Sequence, residues 1–136
     1  YRIKTYPSRS DAETAGGFVT HVGHCGVCST LQDLAVYANV DFVGVTSPGS
    51  FCRRQAVKSF ENGLACYRGL GMTNDCAMIF SDTAWNTASN CFGSCVLDPT
   101  LPIFDCALND CLACNEELSA PTFDKFAGRT RRRSGL

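Results

Sequence analysis

Long apolar runs are missing from this sequence. Every window of the roughly 20 residues needed to cross a bilayer contains charge or several polar residues, so these residues hold no transmembrane helix. The glycine-rich loop that cradles phosphates, the acidic calcium loop and the Asn-x-Ser/Thr glycosylation acceptor are also absent. Histidine is scarce: His21 and His24 are the only two, and none follows Cys28. That removes a papain-like protease, whose Cys-Gly-x-Cys leads into an aromatic residue where this chain has Ser29, and whose histidine lies downstream. The chain starts at Tyr1 with neither Met nor a signal-like apolar stretch, so any targeting segment would lie upstream.

Cysteine, by contrast, is abundant. Nine Phe, four Tyr, one Trp and many aliphatic residues in 136 positions supply enough apolar material for one domain to fold without covalent help. Yet the chain carries ten cysteines: Cys25, Cys28, Cys52, Cys66, Cys76, Cys91, Cys95, Cys106, Cys111 and Cys114. An even number this large is unlike a cytosolic protein, where thiols stay reduced, and reads as disulfides made in an oxidising compartment. Each bridge contributes about 2–4 kcal/mol by restricting the unfolded chain. Connectivity is open, since ten cysteines pair in about 945 ways, but spacing excludes some pairs. Cys91 and Cys95, four apart on a helix, hold their Cβ atoms about 5–6 Å apart, beyond disulfide reach. They and, by the same reasoning, Cys111 and Cys114 are expected to stitch one helix to another.

Residues Tyr1–Tyr6 alternate in the period of an extended strand or arm until Pro7, and Ser8–Gly17 reads as a linker. A capping box, Ser29 with Gln32 or Thr30 with Asp33, starts a helix to about Asn39 with Leu31, Leu34, Ala35 and Ala38 on one stripe. Val40–Val45 has room for one short strand. Pro48-Gly49-Ser50 opens a second helix with the stripe Cys52, Ala56, Phe60, Leu64 and Tyr67, stopped by Gly69 and Gly71, its Arg53, Arg54 and Lys58 on a solvated face. A third runs from Asn74 towards Leu97, with a break near Asn86–Asn90. A fourth spans Asp105–Leu118, and Ser119 caps a last one through Phe123 and Phe126 to Gly128. Phe60 and Phe80 are expected in the core. The fold class is therefore mainly α: a disulfide-stapled helical domain at 18–128, an extended arm and linker at 1–17, and a basic C-terminal segment at 129–136.

Charge is segregated along the chain. Arg2, Lys4 and Arg9 stand without an acid in the first nine residues, and Arg129, Arg131, Arg132 and Arg133 without one in the last eight. Between them five basic residues face all thirteen acids, a formal −8. An acidic body repels nucleic acid. The basic ends point instead to a protein partner or to self-association, with Arg2, Lys4, Arg129, Arg131, Arg132 and Arg133 docking on acidic surface. A processing site or a solvated tail are the plainer readings of the Arg-x-Arg-Arg run.

The densest reactive cluster is His21, His24, Cys25 and Cys28, just ahead of a helix N-terminus, a setting that lowers a thiol pKa. It could be a redox Cys-x-x-Cys, a nucleophilic Cys with a His base, or a soft-metal site. Each meets an objection. No βαβ pattern surrounds the pair, and His24 precedes it where haem attachment needs a following His. The gap to Cys111 and Cys114 far exceeds the roughly 15–20 residues of a zinc ribbon. Asp82, Glu116 and Glu117 show no acid/base spacing.

Two blocks, His24-Cys-Gly-Val-Cys-Ser-Thr-Leu-Gln-Asp-Leu-Ala-Val-Tyr37 and Leu108-Asn-Asp-Cys-Leu-Ala-Cys114 through Gly128-Arg-Thr-Arg-Arg-Arg-Ser-Gly-Leu136, resemble a family of cysteine-rich proteins from algae and other microbial eukaryotes. The resemblance implies a secreted or surface setting and carries over no catalytic residue. The resulting expectation is a secreted or cell-surface interaction or structural module, such as a subunit of an extracellular assembly, with no cofactor, no catalytic residue and no resident metal. Its rival is a thiol-redox or metal-binding protein built on His21, His24, Cys25 and Cys28.

Overall fold

Helix α5 (Asn74–Asn90) packs against four of the other helices in the computed structural model, which describes residues 2–23, 25–42, 46–97 and 109–134 without the side chains of Val96, Leu97 and Arg132. In chain order the helices are α1 (Arg9–Thr14), α2 (Leu31–Asn39), α3 (Pro48–Lys58), α4 (Phe60–Gly69), α5, α6 (Asp110–Leu118) and α7 (Ala120–Ala127). A π-helical turn, Gly93–Leu97, follows α5, and a 3₁₀ turn, Arg131–Arg133, is the last helical turn among the described residues. No strand occurs among the described residues. Of the run where one had room, Val40 caps α2, Phe42 packs on the core, and 43–45 lie outside the described residues.

The expected second helix is two. Ser59 adopts an extended conformation, its side chain accepts from the Asn62 N–H at 3.1 Å, and it ends α3 while capping α4. Cys52 and Cys66 lie equidistant from Ser59 and are bonded to each other, closing a helical hairpin. Its packing on α5 is tight. A Cβ on Gly63 would lie 2.4 Å from the Ala56 Cβ and 2.3 Å from Ser81 Oγ, so glycine is required where the three helices meet. The fully buried Ser81 hydroxyl donates to the Phe60 carbonyl at 2.7 Å, so its polar group is not stranded. The break turns Phe60 out of the expected stripe. Both phenylalanines, expected in the core, are only partly buried: Phe60 lies at the edge of a groove, and Phe80 packs against the core among the rings of Tyr37, Phe42, Tyr67 and Phe123.

Helix α2 starts at Thr30 as expected, but with another face inward. Asp33, Leu34, Val36 and Tyr37 are buried, while Leu31 is exposed. Asp33 explains the rotation. Its carboxylate accepts from the Thr30 hydroxyl at 2.5 Å, the Thr73 N–H at 2.8 Å and the Thr73 hydroxyl at 3.0 Å. Thr73 is the N-cap of α5, so one fully buried carboxylate serves the N-terminal ends of α2 and α5, where the helix dipoles favour negative charge. The Cys28–Cys76 disulfide bonds the same two ends covalently. Asp33→Ala is expected to cost roughly 2–3 kcal/mol, because the Thr73 N–H and both hydroxyls lose a charged acceptor; a chemical denaturation midpoint equal to wild type would refute that.

A short helix also forms in the expected linker. Ser8 accepts from the Asp11 N–H at 3.1 Å, and Arg9 pairs with Glu13 at 2.8 Å, one turn on. At the other end of the chain α5 stops at Asn90, and α6 begins at Asp110 with the Asn109 side chain accepting from the Leu112 N–H at 2.8 Å. The expected start of α6, 105–108, lies outside the described residues. Cys91 bonds Cys114 and Cys95 bonds Cys111, two stitches between the end of α5 with its π turn and α6. A polar seam continues the contact: the Thr87 hydroxyl meets Asn115 Oδ1 at 2.7 Å and Ser119 Oγ at 3.0 Å.

Candidate functional site

The Cys25–Ser29 loop is shaped by the C-terminus of α7. The last carbonyls of a helix have no partner within it, and here the Val27 and Cys28 N–H groups donate to the Phe126 and Ala127 carbonyls at 2.9 and 3.0 Å. Such closeness needs two glycines. A Cβ on Gly26 would fall 2.2 Å from the Gly128 nitrogen, and one on Gly128 would fall 2.4 Å from the Gly26 nitrogen. Gly128 also has φ +73°, a conformation that favours glycine. Cys-Gly-x-Cys is thus a docking loop, held by its second cysteine to α5. Cys28 and Cys25 are not paired with each other: among the described residues Cys25 has no disulfide partner and is exposed, where a bridge was expected. Cys106 lies outside the described residues.

Arg129 follows directly. It is 8% exposed, and its Nε donates to Thr20 Oγ1 at 2.9 Å and its Nη1 to the Ser29 carbonyl at 3.3 Å. The buried Tyr37 hydroxyl donates to the Arg129 carbonyl at 3.2 Å. Among the described residues, then, the hydrogen-bond partners of the Arg129 guanidinium are neutral groups inside the molecule. Arg133 does meet an acid, Asp124 of α7, at 2.6 Å on the surface. Arg131 stands in the 3₁₀ turn, and the Arg132 side chain is outside the described residues.

Two openings flank this junction. One is a polar cleft of about 620 Å³ between the N-terminal arm, the segment Gly16–Gly23, and the Cys25–Ser29 loop with Arg129. Arg2, Lys4, His21 and Cys25 also line it. Lys4 Nζ sits 4.8 Å from the centre of the Tyr6 ring. The other is an open groove of about 360 Å³ between α4, α5 and α7, lined by Val27, Phe60, Met78, Ile79 and Phe126 with Asp75 and Asp82 beside them. Met78 and Phe126 are 42% and 52% exposed, so this is apolar surface facing water.

The family model that matches covers residues 60–136, from the start of α4 to the last residue. The chain belongs to the family of unknown function DUF8771. No curated protein and no solved structure matches it. The DUF8771 match takes in α4, α5, α6, α7, the stitches between the end of α5 and α6, and the basic C-terminal run. The arm and the Cys25–Ser29 loop precede it, so the junction at Gly26 and Gly128 joins the matched part to the part before it.

The rival built on His21, His24, Cys25 and Cys28 loses a ligand, because Cys28 is bonded to Cys76 and offers no thiolate. His21 and Cys25 line the cleft, and His24 lies outside the described residues. Among the described residues no group of three His, Cys, Asp or Glu side chains is placed to hold a metal ion. Two core tyrosines are biased towards the neutral form. Burial pushes Tyr67 up to about 12 against the pull of Arg53, and burial followed by the charge of Asp33 raises Tyr37 further. Sequence reasoning missed Ser29, Thr20 and Met78 as site residues. Ser29 carried a signal as a capping candidate, but Thr30 caps α2 and leaves Ser29 to the cleft.

Proposed function

We propose that this chain is a secreted or cell-surface interaction module that serves as a subunit of an extracellular assembly. The observation that carries the reading is the apolar groove of Val27, Met78, Ile79 and Phe126, open to water on a frame whose helices are covalently tied. A stable frame preserves the shape of such a surface, and exposed apolar side chains beside acids suit a partner segment that is apolar and basic. The disulfides fit an oxidising compartment. The likeness of the Cys-Gly-x-Cys-Ser and Gly-Arg-x-Arg-Arg blocks to algal cysteine-rich proteins supports the surface setting. Arg131 and Arg133 of a second copy have the sign to face Asp75 and Asp82.

Sedimentation velocity of the whole chain tests this at low and high salt. Association is expected at low salt and should weaken at high salt, since charges are screened beyond about 10 Å at 0.1 M. The double variant Asp75→Asn with Asp82→Asn should weaken it at low salt, and Met78→Glu should abolish it at both. The arginines are better tested by Arg131→Gln with Arg133→Gln than by truncation, which would remove the buried Arg129. Monomeric behaviour of the unaltered chain at both salts would remove the assembly reading.

A further inference from the structure

The polar cleft carries an inference that does not depend on the groove or on assembly. Three features coincide in it. First, none of the described residues that line it is acidic, while Arg2, Lys4, Arg9 and Arg129 are basic. Arg9 is neutralised by Glu13 at 2.8 Å, which leaves the other three as the source of positive potential. Second, Arg129 is buried without an ion pair to any described residue. Its two hydrogen bonds go to a threonine hydroxyl and a backbone carbonyl, and its Nη2 donates to no described residue. A buried guanidinium held only by neutral acceptors is incompletely compensated, and its planar fork is the geometry that grips two oxygens of one anion. Third, Ser29 Oγ is buried with no hydrogen-bond partner among the described residues, although its residue lines the same cleft. A hydroxyl in that state marks a place where an acceptor or donor is missing.

We propose that this cleft binds a ligand carrying an oxyanion group, a phosphate, sulfate or carboxylate, on a polar body. Arg129 grips the anion from the floor, where Thr20 and the Ser29 carbonyl fix the plane of its guanidinium. The Ser29 hydroxyl donates to the same anion. Lys4, placed over the Tyr6 ring, and Arg2 close on it from the arm. The volume of about 620 Å³ lies in the range of sites for small organic molecules, so the cleft has room for more than the anion itself. Oxygen-rich bodies such as sugars suit walls made of Thr5, Ser8, Thr20 and Ser29 hydroxyls.

Isothermal titration of the whole chain with inorganic phosphate, inorganic sulfate and acetate, at an ionic strength held constant with sodium chloride, is the test. Saturable binding with a Kd of about 1 mM or tighter is expected for at least one of them. Preference for phosphate and sulfate assigns a tetrahedral anion, and preference for acetate assigns a carboxylate. Lys4→Gln, on the exposed arm, should weaken binding about tenfold by removing a charge-assisted contact. Ser29→Ala should also weaken it. Its melting temperature without anion should match wild type, because the hydroxyl has no partner to lose. Absence of saturable heat with all three probes would overturn the proposal, and so would affinities unchanged in both variants.

Discussion

Reduction of the disulfides under otherwise native conditions is expected to unfold this chain at ordinary temperatures. The four bridges among the described residues close loops with sequence separations of 48, 14, 23 and 16 residues. Each such loop contributes about 3–4 kcal/mol in the chain-entropy account. The contributions do not add, because the Cys95–Cys111 loop lies inside that of Cys91–Cys114. Even two independent bridges, worth about 6 kcal/mol, take most of a domain stability of about 5–15 kcal/mol. Circular dichroism with a thiol reductant should show the melting temperature falling by roughly 20 °C or more, while a metal chelator leaves it unchanged. The largest single loss is expected from Cys28→Ser with Cys76→Ser, which opens the longest loop and frees the ends of α2 and α5 from each other. A reduced chain that melts like the oxidised one would contradict this, and a chelator-induced loss of helix would bring back a metal-centred protein. A non-reducing peptide map after alkylation adds the chemical check: Cys28 should stay unlabelled and travel with the Cys76 peptide.

Phe80→Ala is expected to be the most damaging single substitution in the apolar core, at about 3–5 kcal/mol. The Phe80 ring lies 4.9 Å from Phe123, 5.3 Å from Tyr67, 5.7 Å from Phe42 and 6.0 Å from Tyr37, centre to centre. These rings come from α7, α4, the segment after α2, and α2, so Phe80 is where four parts of the chain meet α5. Truncation removes the transfer energy of the ring and leaves a cavity, and the aromatic pairs contribute about 0.5–1.5 kcal/mol each beyond area. Neighbours anchored by the Cys28–Cys76 and Cys52–Cys66 bridges cannot collapse freely to fill it. Phe60→Ala is the control: as partly buried as Phe80 but at the groove edge and outside the ring cluster, it should shift the denaturation midpoint much less. Equal effects at both positions would show that the ring cluster is not the centre of the core.

Much of the helical layout was legible because local rules were obeyed. Thr30, Ser47, Ser59 and Asn109 all cap by accepting an N–H three residues on, and Pro48 stands in the first turn of its helix. The break at Ser59 was legible in principle, since Ser59-x-x-Asn62 is a capping signal, but an uninterrupted apolar stripe from Cys52 to Tyr67 masked it. The inward face of α2 was not legible. A sequence reading places an aspartate outside, and only the approach of Thr73, forty residues away, makes burial of Asp33 favourable.

The candidate sites divide in the same way. His21, Cys25, Arg2, Lys4 and Arg129 were visible as reactive or basic residues, but their distance along the chain hid that one cleft gathers them. Nothing local marks Met78 and Phe126 as exposed neighbours, because a helical stripe does not say which face a partner leaves uncovered.

By itself, then, the sequence determined a mainly helical chain with covalent bonds between its helices, an acidic body and basic ends. Cap residues, apolar spacing and cysteine content act over a turn or two, or over the composition as a whole, and survive without knowledge of neighbours. Tertiary structure alone decided that Gly26 meets Gly128, that Asp33 bridges two helix ends, that Arg129 is buried against neutral groups, and how eight of the cysteines among the described residues are bonded. Those outcomes depend on distances between residues far apart in the chain, and packing of the helices on α5 sets those distances.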